Sequence, residues 1–171
     1  MVIRMNLFLL RHGIAVDREE MDFNGDAARP LTPKGRRQLR KVAAALRALK
    51  VKPDVILSSP LVRAQQTAEL VAKQLKLSGK TALSYELQPG GSVEKLVRHV
   101  AALKPVPENV LLVGHEPDLS ELLSLLVVGT ITGGFSLKKA GVARLETAKL
   151  RAGQCATLVW LLTPGLMKQL R

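Results

Sequence analysis

The hydrophobic pattern along this chain switches repeatedly between two periods. The segments 6–10, 54–57 and 109–113 each open on a polar residue and continue as an apolar run too short for a helix and rich in Leu, Val and Ile. Such runs predict strands buried on both faces. Segments with a helical stripe lie between them. Thr32, with Pro33 behind it, opens the first helix, whose inner face is Leu39, Val42, Ala43, Leu46 and Leu49. Pro60 begins a second, to about residue 75. Ser92 caps a third, with Val93, Leu96, Val97 and Val100 inward, and Pro117 opens a fourth through residue 126. Residues 82–85 suggest an edge strand. Residues 142–147 and 156–162 alternate with period two, as an antiparallel hairpin at one edge would.

Strand–helix alternation of this kind predicts an α/β fold, a three-layer α/β/α sandwich with a mostly parallel central sheet and an antiparallel edge. No repeat, low-complexity tract or linker interrupts it, and 171 residues suit one domain, 1–171. With 47% apolar residues but only 3% aromatics, the core must be built mostly of Leu, Val and Ala. A lone cysteine, Cys155, cannot close an internal disulfide, which points to a reducing, cytoplasmic setting. The apolar run at 7–10 is too short for a secretory signal and meets Arg11 and His12 at once. The longer apolar region at 110–128 is broken by His115, Glu116, Asp118 and Glu121, so no membrane span or membrane partner is expected.

The net charge of +12 changes the picture more, because it concentrates anions around the molecule. Eight basic residues fall at 34–52 with no acid among them. They read as a solvated helix face or as a docking surface for an acidic protein. Nucleic acid is not the expected partner, since the chain has no zinc-finger spacing and no aromatic-rich strand to stack bases.

Candidate chemistry sits where ligands of such sheets bind, beyond the carboxyl ends of the strands. The first strand ends in Arg11-His12-Gly13. The second ends in Ser58-Ser59-Pro60, with Arg63 one turn into the next helix, and the third ends in Gly114-His115. A lone histidine is usually structural, and His99, in mid-helix, reads that way. Two histidines at matching strand ends, each near an arginine, read instead as an anion site. Arg63 has a plainer option in pairing with Glu69, but a guanidinium in a first helical turn also meets free backbone N–H groups and favours an anion. Ser58 and Ser59 read as helix-entry residues, lacking the glycines of a nucleophile elbow. Cys155 has Leu161 six positions on, where a cysteine phosphatase needs arginine. There is no Walker loop and no metal-ligand spacing, so neither cofactor nor metal is expected. A histidine nucleophile flanked by cations remains.

These motifs resemble those of the histidine phosphatase superfamily, with its phosphoglycerate-mutase-like fold, and within it the SixA-type phosphohistidine phosphatases. Arg11-His12-Gly13 is similar to the superfamily signature. Arg29-Pro30-Leu31-Thr32-Pro33-Lys34-Gly35 resembles R-P-L-T-x-x-G, and the segment from Ser58 to Ala68 resembles S-S-P-x-x-R-A-x-Q-T-A. Val113-Gly114-His115-Glu116-Pro117-Asp118-Leu119 resembles V-G-H-x-P-x-L. The resemblance implies that His12 attacks phosphorus and forms a phosphohistidine intermediate, which water hydrolyses. It implies that Arg11, Arg63 and His115 bind the phosphoryl oxygens without a metal, with Arg29 at the rim. Larger relatives use a carboxylate to protonate the leaving oxygen. The nearest candidate here is Glu86, which reads equally well as an exposed loop residue. Ile14-Ala15-Val16 departs from the Ser/Thr and Asn that follow the signature in many mutases.

Residues 77–92 leave little chain for a lid. An open site suits a phosphohistidine on another protein, such as a histidine-containing phosphotransfer domain in a signal-transduction phosphorelay, met by a monomeric enzyme. Two alternatives stay open: a small-molecule phosphomonoesterase, and a non-catalytic phosphoprotein-binding module. The acidic segment 17–26 either orders over the crevice or repels phosphate from a side entrance.

Overall fold

The computed structural model describes residues 4–17, 19 and 25–170. Successive residues of its central strands face opposite helical layers. Strand β1 (Met5–Arg11) sends Leu7 and Leu9 to one side and Phe8 and Leu10 to the other. Strand β4 (Asn109–Gly114) does the same with Val110 and Leu112 against Leu111 and Val113. Burial on both faces is why these segments read as unbroken apolar runs.

One layer is α1 (Pro33–Ala48) with α2 (Val62–Gln74), joined by a short C-terminal helix α5 (Pro164–Met167). The other is α3 (Val93–Ala101) with α4 (Asp118–Val128). Helix α1 starts as its sequence predicts: the Thr32 hydroxyl accepts the Gly35 N–H at 3.0 Å, and Pro33 needs no donor partner. Its buried stripe is Leu39, Val42, Ala43 and Leu46. Truncating any of these leucines to Ala costs about 2–5 kcal/mol by the usual cavity penalty. Ser92 caps α3 through the Lys95 N–H, and α4 stops at Gly129, whose φ of 93° lies in the left-handed region.

The six strands are ordered β3-β2-β4-β1-β5-β6, where β2 is Val55–Ser58, β3 Thr81–Leu83, β5 Val142–Thr147 and β6 Ala156–Leu162. The first four in that order run parallel, and β5 and β6 add an antiparallel edge. This is the expected α/β arrangement, with four differences. Leu49, expected on the inner face of α1, is instead its exposed C-cap residue. Helix α2 begins at Val62 rather than Pro60, because Leu61 takes extended geometry as its N-cap. The edge strand stops at Leu83 and gives way to a 3-10 turn at Tyr85–Leu87. Helix α5 is too short to show a period in sequence. Among the described residues, no helix is long and apolar enough to cross a membrane.

Candidate active site

The strand register sets three chain segments level. Leu10 of β1 and Ser58 of β2 both lie opposite Val113 of β4, and Arg11 lies opposite Gly114. The residues that leave the sheet next are therefore His12, Ser59 and His115. Backbone bonds lock them there: the His12 N–H donates to Gly114 O at 3.1 Å, and the Ser59 N–H to Val113 O at 2.9 Å. The two imidazole rings lie 5.0 Å apart, centroid to centroid.

Helix α2 supplies the next part. Arg63, in its first turn, is 3% exposed. One turn on, Thr67 donates to Arg63 O at 2.7 Å and accepts the Gly13 N–H at 3.1 Å, tying the histidine loop to the arginine helix. Gln66 accepts the Leu31 N–H at 2.8 Å and holds the segment that carries Arg29. These bonds give a physical reason for the Gln and Thr of the helix motif. Gly35 has a similar reason, since a Cβ there would collide with the backbone oxygen of Ile14.

A pocket of about 200 Å³ opens between these elements, lined by Arg11, His12, Arg29, Arg63 and His115. Ala15, Asp26, Pro89, Glu116 and Lys139 complete its wall. The structure thus gathers Arg11, His12, Arg63, His115 and Arg29. It does not bring in Glu86, whose carboxylate accepts the Ser84 hydroxyl at 2.8 Å and pairs with His99 Nδ1 at 3.2 Å. A backbone hydrogen bond and the Ser84 hydroxyl hold Glu86 below the usual carboxylate range, the opposite of what an acid donor needs. Pro89 is the residue of that loop that reaches the pocket. A larger cleft of about 600 Å³ lies at the opposite strand ends, between Val55 and Pro105, and gathers no comparable set of cations and imidazoles.

Both histidines are held neutral. Burial pushes His12 down to about 4; the Gly13 carbonyl opposes this, and Arg63, Arg11 and Lys139 add to it. His12 Nδ1 is 2.7 Å from Gly13 O, so the proton sits on Nδ1 and the Nε2 lone pair is open to the pocket. Burial, then His12 and Arg63, push His115 down to about 3. His115 Nε2 meets the Ser59 hydroxyl at 2.9 Å. His115 Nδ1 and Arg11 Nε are buried without a hydrogen-bond partner among the described residues, while Arg11 Nη1 donates to Leu137 O at 2.8 Å. Arg11, Arg63 and His115 all line the pocket, so an oxyanion entering it meets two guanidinium groups and an imidazole.

Sequence reading gave no site role to Asp26, Lys139 and Glu116 of this wall, nor to Ser59 behind it. Asp26 is the most consequential: its carboxylate takes Arg63 Nη2 at 2.9 Å through Oδ2 and Arg29 Nη2 at 2.7 Å through Oδ1. Arg63 therefore pairs with Asp26, not with Glu69. Of the acidic segment, Asp26 orders beside the crevice, whereas Glu20 and Asp22 lie outside the described residues. Lys139 comes from the loop before β5, Ser59 supports His115, and burial raises the carboxyl of Glu116, which accepts the Ser120 hydroxyl. Glu116 had a signal in its place directly after His115, Ser59 in its strand-end motif, and Asp26 in the acidic segment set beside the crevice; Lys139 had none. Among the described residues no group of three His, Cys, Asp or Glu side chains is placed to hold a metal ion.

Comparison with known proteins agrees with this geometry. Residues 7–88 match the family model of the histidine phosphatase superfamily (branch 1). The chain is 30% identical over 165 residues to the phosphohistidine phosphatase SixA of Escherichia coli (strain K12), covering 96% of this chain and 97% of that protein. It is 37% identical over 148 residues to an uncharacterized protein of Picosynechococcus sp. (strain PCC 7002), covering 86% and 88% of the two chains. A solved structure of the protein histidine phosphatase SixA complexed with tungstate superposes with a TM-score of 0.81 at 30% identity, covering 94% of this chain and 98% of that one.

Proposed function

The chain belongs to the histidine phosphatase superfamily, and we propose that it is a phosphohistidine phosphatase that acts on a phosphotransfer or phosphorelay protein, without a metal, through a covalent phospho-His12 intermediate. The observation that carries this reading is the state of His12: neutral, with its proton fixed toward Gly13 and its Nε2 lone pair open to a pocket lined by Arg11, Arg63 and Lys139.

In the first step His12 Nε2 attacks phosphorus and forms a P–N bond while the P–N bond to the substrate imidazole breaks. The leaving nitrogen keeps the electron pair. The other nitrogen of that ring keeps its proton, so the departing group is a neutral imidazole. His12 becomes a phosphoimidazolium, whose Nδ1–H still donates to Gly13 O. In the second step water attacks phosphorus, the new P–N bond breaks, and phosphate and a proton are released. Arg11, Arg63 and His115 receive the equatorial oxygens as charge spreads over them. Exchanging one imidazole for another makes the leaving group no worse than the nucleophile, so no carboxylic acid is required. This fits a Glu86 that points to Ser84 and His99. The likeness to SixA supports the protein-borne substrate and an oxyanion in the site.

The test is phosphate release from a phosphohistidine protein and from a phosphate monoester, with wild type and His12→Ala side by side and no added metal. Release from the phosphoprotein that depends on His12 establishes the assignment. Faster monoester turnover moves the chain to the small-molecule phosphatases. No His12-dependent release from either substrate leaves a phosphoprotein-binding module.

A further inference from the structure

We propose that the groove between α1 and α2 is the docking surface for an acidic helical face of the phosphoprotein, which positions the phosphohistidine at the neighbouring pocket. The identity of the partner rests on the phosphohistidine reading, whereas the surface itself is argued from charge and placement.

The groove is lined by Arg36 and Arg40 of α1 and by Gln66, Glu69, Leu70 and Lys73 of α2, and holds about 310 Å³. Its upper end is at the active site, because Gln66 is one turn beyond Arg63 and holds Leu31. At 1.5 Å of rise per residue, Lys73 lies about 15 Å further along the helix than Arg63. A helix laid in this groove would therefore extend from the pocket mouth along α1 and α2. On the other flank of α1, Lys34, Arg37 and Lys41 line a second basic hollow.

The charges here work against their own helix. Helix α1 carries no acid, and its first turn, where the dipole is positive, holds Lys34 and Arg36. Arg36 and Arg40 are four apart, as are Arg37 and Lys41, a spacing at which like charges repel. None of these five cations makes an ion pair with a described residue. The fold leaves a concentrated positive field beside the pocket, and Glu69 is the one acid among the described residues that line the groove. The complementary occupant is an anionic protein face, with Leu70 offering an apolar floor.

The experiment titrates the protein with an unphosphorylated histidine-containing phosphotransfer domain of net negative charge, at 20 and 200 mM salt. It compares wild type with Arg36→Gln/Arg40→Gln/Lys73→Gln. Hydrolysis of free phosphohistidine is measured in parallel. We expect the triple variant to bind the domain at least tenfold more weakly at low salt and the wild type to lose binding as salt rises. Turnover of free phosphohistidine stays within twofold. No binding by wild type, unchanged binding by the variant, equal loss of free phosphohistidine turnover, or tighter binding of a 20-base-pair DNA duplex than of the domain each overturns the docking surface. Because the titration needs no turnover, failure to hydrolyse phosphohistidine sinks the enzymatic reading alone and leaves the surface to be judged by its own result.

Discussion

Asp26 Oδ2 lies 2.9 Å from Arg63 Nη2, and the backbone oxygen of the same aspartate takes Arg63 Nη1 at 2.7 Å. A carboxylate therefore orients a buried guanidinium and also sets a negative charge beside the proposed phosphoryl pocket. Asp26→Asn removes the charge and keeps an oxygen acceptor. The expected outcome is split: tungstate binds several-fold more tightly, because repulsion is relieved, while kcat falls about tenfold, because Arg63 and Arg29 lose a charge-assisted hydrogen bond that aims them. Calorimetric titration with tungstate and steady-state kinetics read the two halves. Weaker tungstate binding with unchanged kcat would count against this account.

His12→Ala is expected to lower turnover by a factor of about 10³ or more, as loss of a covalent nucleophile does. Oxyanion binding persists through Arg11, Arg63 and His115. Labelling from a radioactive phosphohistidine protein should leave an acid-labile, alkali-stable phosphate on wild type and none on the variant. A label that survives the substitution would place the intermediate on another residue.

Stability should fall with acid. The ordinary imidazole value is 6.5, and the folded value for His12 is about 4. Between the two the unfolded chain takes up a proton that the folded chain excludes. The contribution is therefore fully present above about pH 6.5 and is lost as pH falls toward 4. For His12 it is on the order of 3 kcal/mol. His115, lowered to about 3, shifts the same way, and the two rings titrate as a pair. Melting temperatures between pH 7.5 and 4.5 should drop for wild type and drop less for a His12→Gln/His115→Gln protein. Tungstate, which favours the imidazolium form, should offset part of the drop. A flat wild-type profile would refute the buried-neutral assignment.

Glu86→Gln is expected to leave turnover of a phosphohistidine protein within twofold, since the side chain faces Ser84 and His99. Its half-exposed pairing with His99 contributes under about 1 kcal/mol. A tenfold loss of kcat with an unchanged melting temperature would restore Glu86 to the reaction.

Gly35→Ala places a Cβ against the Ile14 carbonyl, and backbone cannot yield as a flexible side chain can. The cost should be about 1–3 kcal/mol, with weaker oxyanion binding because the loop carrying His12 and Ile14 shifts. Chemical denaturation and tungstate titration check both effects.

The parallel core of the sheet and its two helical layers were legible because buried strands and amphipathic helices carry their periods in the sequence. The gathering of Arg11, His12, Arg63 and His115 was legible because all four lie at or just beyond the carboxyl ends of those strands. The ion pairs of Asp26 and the approach of Lys139 were not. Each of these residues reaches the pocket from a turn or loop whose path is fixed by closure of the whole fold, and no local spacing encodes it. Glu86 failed for a related reason: sequence placed it in the loop nearest the site but could not show that Ser84 and His99 hold its carboxylate elsewhere.

The alignment of Leu10 with Val113 and of Arg11 with Gly114 has a consequence for the assembly of the molecule. Asn6 and Asn109, bonded at the far end of the same strand pair, are 103 positions apart in the chain. Assembly of the candidate site therefore waits on a contact of high sequence separation, among the slower kinds to form. A refolding intermediate with α1 and α2 already docked but β4 unpaired would have Arg63 without His115 beside His12. Recovered turnover during refolding thus reports the arrival of β4 beside β1. A strand slipped by one residue would keep much of its secondary structure, yet its histidine would point to the wrong face of the sheet.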